Sequence, residues 1–347
     1  MFEEYAECVQ KEISLLRGRF NGCIFDTVYI GGGTPSFFDI NLLSTLISGI
    51  KNNFNINPVA EFTVEANPDS VTENFAKTLC TLGVNRISLG LQSISDGILK
   101  KINRPHTRSD FLRAAKIINE YFKNFNVDIM LGLPGMTQTE LIDTLKNALD
   151  AKATHISVYG LILERGTALY KAVKKGEIVL PNDDETASMY EYASDFLTDN
   201  GFSRYEISNF AKSGYRCKHN LNYWDRGEYL GLGLAAHSFY NNRRIANTKS
   251  LNKYIYELNA NRLPTENIKT IKNKEAYFEF VMLALRKSEG FAEKDFLDSF
   301  GVSFFNVYKN QFETLSKKGL LEYKEGRLFL PQQDIYISNQ ILVEFVP

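Results

Sequence analysis

The sequence predicts an α/β protein: an incomplete (βα) barrel of parallel strands followed by a small helical domain. Three observations carry this. Short segments rich in β-branched and aromatic residues alternate with amphipathic ones at intervals of roughly 25–40 residues, the rhythm of βα repeats. The first strand-like segment runs straight into Gly31-Gly32-Gly33-Thr34-Pro35, as a ligand edge of an α/β enzyme does. The last third of the chain loses the alternation and reads as helices with one hairpin.

The elements follow in order. Phe2, Tyr5, Val9, Ile13 and Leu16 recur at helical spacing, so the chain opens on an amphipathic helix. Strands are predicted at Asp26–Ile30, Glu61–Ala66, Arg86–Gln92, Asn126–Leu131 and His155–Gly160. Helices are predicted at Ile40–Asn52, Thr72–Leu82, Ser109–Phe122, Thr137–Ala151 and Asp184–Asn200. Because a helix opens the series, the strand that should precede it is missing. The sheet is therefore expected to carry an uncovered edge. From about Gly214 the composition shifts to Tyr, Asn, Gly and Trp with weak periodicity, and from about Leu263 helical spacing returns. Lys274–Arg286, Glu293–Phe300, Val302–Lys317 and Asp334–Phe345 read as helices. Leu320–Tyr323 and Arg327–Leu330 flank a hairpin turn. The expected organisation is a barrel core over 1–213, a connecting segment over 214–262 and a helical, winged-helix-like domain over 263–347. That last domain lacks a basic stripe, which favours packing or lid duty over reading DNA.

Composition narrows the function classes. The 347 residues include 40 basic and 41 acidic side chains, so bulk charge offers no reason to bind nucleic acid or an anionic membrane. No apolar run has membrane-spanning length, and Glu3, Glu4, Glu7 and Lys11 interrupt any signal-peptide pattern. Cys8, Cys23, Cys80 and Cys217 are scattered, which suits a reducing compartment; the expected location is the cytoplasm.

Polar residues recur where the predicted strands end: Glu65 in Val64-Glu65-Ala66-Asn67-Pro68, Gln92 in Gly90-Leu91-Gln92-Ser93, and Asp128 in an apolar stretch. A carboxylate inside an apolar strand costs several kcal/mol unless partnered, so the series favours a shared polar ligand. Arg104, in Asn103-Arg104-Pro105-His106, can pair a carboxylate by two prongs; a solvated loop arginine is the plainer alternative.

These motifs, with Gly31-Gly32-Gly33-Thr34-Pro35 and Asp128-Ile129-Met130-Leu131-Gly132-Leu133-Pro134, resemble the radical S-adenosylmethionine family over nearly the whole chain. The resembling branch holds oxygen-independent coproporphyrinogen III oxidase and the HemW-type haem chaperones. The resemblance implies that Gly32, Gly33 and Thr34 bind the methionine end of S-adenosylmethionine and that Glu65, Gln92, Arg104 and Asp128 complete the site. Cys217-Lys218-His219-Asn220-Leu221-Asn222-Tyr223-Trp224 resembles the H-N-x-x-Y-W signature of the chaperones. Tyr205–Ala211 and Gly231–Ser238, with His237, resemble the same branch. By that likeness His219 is a haem-iron ligand, with Asn220, Tyr223 and Trp224 around the macrocycle. A loop histidine beside a core aromatic pair is the alternative. On an extended backbone Cys217 would share a face with His219, as a second ligand or as a buried inert thiol. His155, at a strand start, is expected to be structural.

The resemblance breaks at one place. The family holds a [4Fe–4S] cluster on a C-x-x-x-C-x-x-C loop after the first barrel strand, and the four cysteines here are too dispersed to replace it. We expect a version truncated at its N-terminus rather than a variant that lost its cluster. The resemblance implies haem binding and transfer to an apoprotein, those of respiratory complexes at the membrane face included. Transfer in the family is thought to depend on the cluster, so binding without delivery is one expectation. Anaerobic decarboxylation of coproporphyrinogen III is the alternative. A barrel binding S-adenosylmethionine without redox chemistry is a third.

Overall fold

Alternation along five strands decides the architecture. In the computed structural model, which describes residues 2–346, β1 (Ile24–Ile30), β2 (Asn55–Ala66), β3 (Arg86–Gln92), β4 (Asn124–Leu131) and β5 (His155–Gly160) lie side by side and parallel. The antiparallel pieces β6 (Ser203–Arg204) and β7 (Asn209–Ala211) finish the far side, giving the order β1-β2-β3-β4-β5-β7-β6. Phe62 and Val64, Ile87 and Leu89, Val127 and Ile129, Ile156 and Val158 point to one face and form the main core. The intervening residues include Glu61, Thr63 and Glu65, then Arg86 and Ser88, then Asn126 and Asp128. Parallel strands are usually apolar on both faces. Here one face is polar throughout.

Helices cover the apolar face: α1 (Phe2–Leu16), α2 (Ile40–Asn53), α3 (Glu73–Thr81), α4 (Asp96–Lys101), α5 (Arg108–Tyr121), α6 (Gln138–Asp150), α7 (Ala168–Lys174) and α8 (Asp183–Asp199). Reciprocal caps, in which Thr107, Thr137 and Asn182 pair with Asp110, Glu140 and Glu185, set where α5, α6 and α8 begin. As expected for an open sheet, β1 forms an edge, with β2 as its one strand neighbour among the described residues.

The weakly periodic segment is more ordered than its composition suggests. It holds α9 (Lys218–Trp224), the antiparallel strands β8 (His237–Tyr240), β9 (Arg243–Asn247) and β10 (Thr265–Thr270), and α10 (Leu251–Asn259). Glu12 of α1 ties this region to the barrel. Its carboxylate accepts from Gly233 N–H at 2.8 Å, Asn247 Nδ2 at 2.6 Å and Tyr254 OH at 2.7 Å.

The C-terminal region has its own aromatic core around Phe280, Phe296 and Phe304. It comprises α11 (Asn273–Ala284), β11 (Phe291–Ala292), α12 (Glu293–Phe300), α13 (Phe304–Val307), α14 (Lys309–Lys317), β12 (Glu322–Lys324), β13 (Arg327–Phe329) and α15 (Ser338–Leu342). Two predicted helices are broken. Val302–Lys317 splits at Tyr308, whose ψ of 30° leaves the helical range, and Asp334–Phe345 is a short helix flanked by tighter turns.

Glu206 sits at the junction between the two regions, fully buried and bridged by backbone to Lys287. One of its oxygens, Oε2, has no partner among the described residues, and burial raises its pKa to about 7. A raised folded-state pKa gives stability that is complete below the unfolded pKa and is lost as pH rises through about 7. Wild type should therefore lose about 3 kcal/mol relative to Glu206→Gln between pH 4.5 and 8, read from paired urea titrations. Parallel pH profiles for the two proteins would contradict this.

Candidate functional site

β1 ends where its chain meets the carboxylate of Glu65. A Cβ on Gly31 would lie 2.5 Å from that carboxyl carbon, so only glycine fits. Gly32, at φ +83°, turns its N–H onto Glu65 Oε2 at 3.1 Å, while Tyr29 OH donates to Oε1 at 2.7 Å. Gly33 faces open space, and Thr34 Oγ1 accepts from Asn67 Nδ2 at 3.5 Å. On β4, Asp128 accepts from Ser88 Oγ at 3.1 Å and Asn126 Nδ2 at 2.8 Å. Gln92 has the left-handed φ of +64° at a bulge between β3 and β4 and accepts from Tyr159 OH at 3.3 Å. Tyr159 also lies within electrostatic reach of Asp128, Arg104 and Glu65. Of the four residues singled out, Gln92 contacts this phenol directly and the other three act on it through their charge. Arg104 makes no ion pair among the described residues.

The electrostatics are unbalanced. Burial raises the pKa of Glu65 and of Asp128, and Asp128 raises that of Glu65 further. The guanidinium buried within this face is that of Arg86. Burial alone would lower its pKa, but Cys217, Glu61, Tyr29 and Tyr205 outweigh this and hold it charged.

Four residues before Glu65, in the middle of β2, Glu61 takes the start of α9. Its carboxylate accepts from Lys218 N–H at 3.0 Å, His219 N–H at 3.1 Å and the Cys217 thiol at 3.3 Å, satisfying bare amides at the positive end of a helix. The segment is therefore a helix with Cys217 as its cap, not an extended strand. Cys217 is buried and turned inward, with burial pushing its thiol up to about 12, so it is not placed as a second iron ligand.

His219 is held on three sides. Its Nδ1 meets Thr27 Oγ1 at 2.8 Å, its Nε2 meets Tyr223 OH at 2.9 Å, and its ring stacks on Tyr29 at 5.0 Å. Burial lowers its pKa to about 4, so the imidazole is neutral at pH 7. Tyr223 follows one helical turn later on the same face. Asn220 and Trp224 lie on other faces of α9 and do not line the cleft beside His219. Trp224 instead packs under the Arg286 guanidinium, 5.8 Å from its ring, and near Glu206. A helix cannot point four such residues at one ligand.

A cleft of about 530 Å³ runs from Gly31–Pro35 along the β1 edge to His219, Tyr223, Tyr229 and His237. Beside it, Arg226 and Arg244 share the one carboxylate of Glu279 at 3.2 and 3.0 Å. No group of three or more His, Cys, Asp or Glu among the described residues is placed to hold a metal ion, so the thiolates of an iron–sulfur cluster are not supplied here. His106 Nε2–H donates to the buried Leu91 carbonyl at 3.0 Å, and His155 is wedged between Asn126 and Tyr205; both are structural.

Sequence reasoning missed Tyr29, Glu61, Arg86 and Tyr159. The available signal was strict alternation, as in Glu61-Phe62-Thr63-Val64-Glu65, within a sheet whose parallel strands should be apolar on both faces. For His219 we expect an NMR titration midpoint near pH 4, moving upward in Tyr223→Ala as water reaches the ring. A midpoint near 6.5 in the unaltered protein would contradict the burial.

The comparisons with known proteins agree with this geometry. The Radical SAM superfamily model matches residues 10–148 and the HemN C-terminal domain model residues 271–337. The chain is 33% identical to the heme chaperone HemW of Bacillus subtilis, covering 99% of this chain and 91% of that protein. It is 33% identical to the heme chaperone HemW of Escherichia coli, covering 88% and 82%. The solved coproporphyrinogen III oxidase HemN from Escherichia coli superposes with a TM-score of 0.87 over 99% of this chain and 83% of its own, at 20% identity, which shows a shared fold. With its half-barrel, its glycine loop and its His219 helix, the chain belongs to the HemW family of radical S-adenosylmethionine proteins.

Proposed function

We propose that this chain is a haem chaperone, binding haem in the cleft between the β1 edge and α9 and passing it to an apoprotein. The observation that carries this is a neutral imidazole, His219, set in the wall of a cleft continuous with the glycine loop. Neutral imidazole is the protonation state that ligates haem iron. Ligation through Nε2 asks Tyr223 to turn its hydroxyl away, which costs little because Tyr223 is 37% exposed and finds water. Arg226 and Arg244, two cations on one carboxylate, leave a net positive charge beside Tyr223 and Tyr229 that suits haem propionates. Asn220 and Trp224 serve by fixing the helix against its neighbours rather than by touching haem.

The second ligand is S-adenosylmethionine, at the Glu65 end. Burial raises the cost of ionising Glu65 and Asp128, Asp128 raises that of Glu65 further, and a ligand bearing a sulfonium and an ammonium relieves it. Gly32, Gly33 and Thr34 offer bare backbone, Gln92 an amide, and the unpaired Arg104 a partner for the ligand's carboxylate. The family's [4Fe–4S] cluster finds no thiolate set among the described residues, and we derive no step through it. We assign the barrel work to residues 1–213, the haem contacts to 214–262 and a packing role to 263–347. The acceptors we favour are haem apoproteins, respiratory ones at the membrane face included. No helix among the described residues is long and apolar enough to cross a membrane.

His219→Ala should lose the Soret band of the haem-reconstituted chain; a band of unchanged intensity would remove His219 from the iron. Arg104→Ala should weaken S-adenosylmethionine binding at least tenfold, about 1.4 kcal/mol by calorimetry, with thermal stability retained. Equal affinity would move the ligand's carboxylate elsewhere.

A further inference from the structure

We propose that His237 supplies the second axial ligand to haem iron, reaching it from the wall of the cleft built by Tyr229–His237. This rests on the reading of the cleft as a haem site. Haem iron has two axial positions, and His219 on α9 accounts for one. Among the residues lining the cleft, His219 and His237 are the two histidines, and no cysteine or methionine joins them. Nitrogen and sulfur are the common axial donors, so the choice falls on His237.

Its position is set by the backbone. Side chains alternate along β8, so Ser238 and Tyr240 turn into a separate cavity beside Glu12 and Leu16, while His237 turns into the cleft. Three contacts keep the strand there. His237 pairs with Ala246 of β9, Tyr229 and Phe239 exchange backbone hydrogen bonds at 2.8 and 2.9 Å, and Gly231 N–H donates to Ser238 Oγ at 2.9 Å. Gly231 presses so closely that a Cβ there would sit 2.0 Å from the His237 carbonyl oxygen. The backbone is thus anchored while the ring is exposed and makes no hydrogen bond among the described residues.

The two imidazoles differ in a way that suits opposite roles. His219 is closed by Thr27 and Tyr223 and must be opened before it binds iron. His237 is open from the start. Tyr223 meets His219 edge-on at 4.8 Å and Tyr229 at 4.7 Å, and both tyrosines line the same cleft as the two imidazoles.

The test is electron paramagnetic resonance and visible absorption of the full chain reconstituted with ferric haem. Two imidazoles give a six-coordinate, low-spin iron. His237→Ala should keep its haem but turn high-spin and five-coordinate, and added free imidazole should restore the low-spin signal. A wild-type spectrum that is already high-spin, or a His237→Ala spectrum that stays low-spin, overturns the assignment while leaving the haem site itself intact. Absence of any Soret band in wild type removes both readings together. His237 is exposed, so folding of the variant is checked directly by comparing its thermal transition with that of wild type.

Discussion

The structure depends on one buried cation and the acids within electrostatic reach of it on the polar face of a parallel sheet. Arg86 is 2% exposed and has no water to screen it. An unpaired buried cation costs several kcal/mol, so anionic and polar groups must stay around it. Glu61 is the acid among them, and it also accepts the first amides of α9. One carboxylate therefore lies within electrostatic reach of the buried cation and also places His219. Four residues along the same face of β2, roughly 13 Å away at strand spacing, Glu65 performs the equivalent task for the glycine loop. Both ends of the cleft hang from one strand.

This arrangement explains why two chemically unlike sites adjoin. Tyr29 links them: its hydroxyl holds Glu65 and its ring stacks on His219. A ligand that draws on Glu65 acts on the same tyrosine that supports the imidazole. The sheet edge at β1 then forms the floor of the cleft that runs between them.

Much of this was legible in the sequence, for identifiable reasons. β3 and β5 lie where alternation and turn residues put them, because their apolar residues face a single well-packed core. Glu65, Gln92 and Asp128 were legible as polar residues on successive strands and Arg104 as a loop residue just past β3; of the four, Gln92 touches Tyr159 directly. What stayed hidden depends on long-range partners. Nothing local makes Lys218–Trp224 a helix. Its start is capped by Glu61, which lies far away in the chain, so Cys217, Asn220 and Trp224 were read on the wrong faces. The hairpin of β8 and β9 was locally signalled by the Asn241-Asn242 turn, which the sequence reading passed over, while β7 pairs with β5 far back in the chain.

The most direct test is a haem titration of Glu61→Gln, followed at the Soret band with far-ultraviolet circular dichroism on the same samples. Glutamine keeps the size of the side chain but removes the charge and one acceptor. The account predicts native secondary structure with haem affinity weakened at least tenfold, about 1.4 kcal/mol, because α9 no longer holds His219 against Thr27 and Tyr29. Native structure with unchanged haem affinity would contradict it.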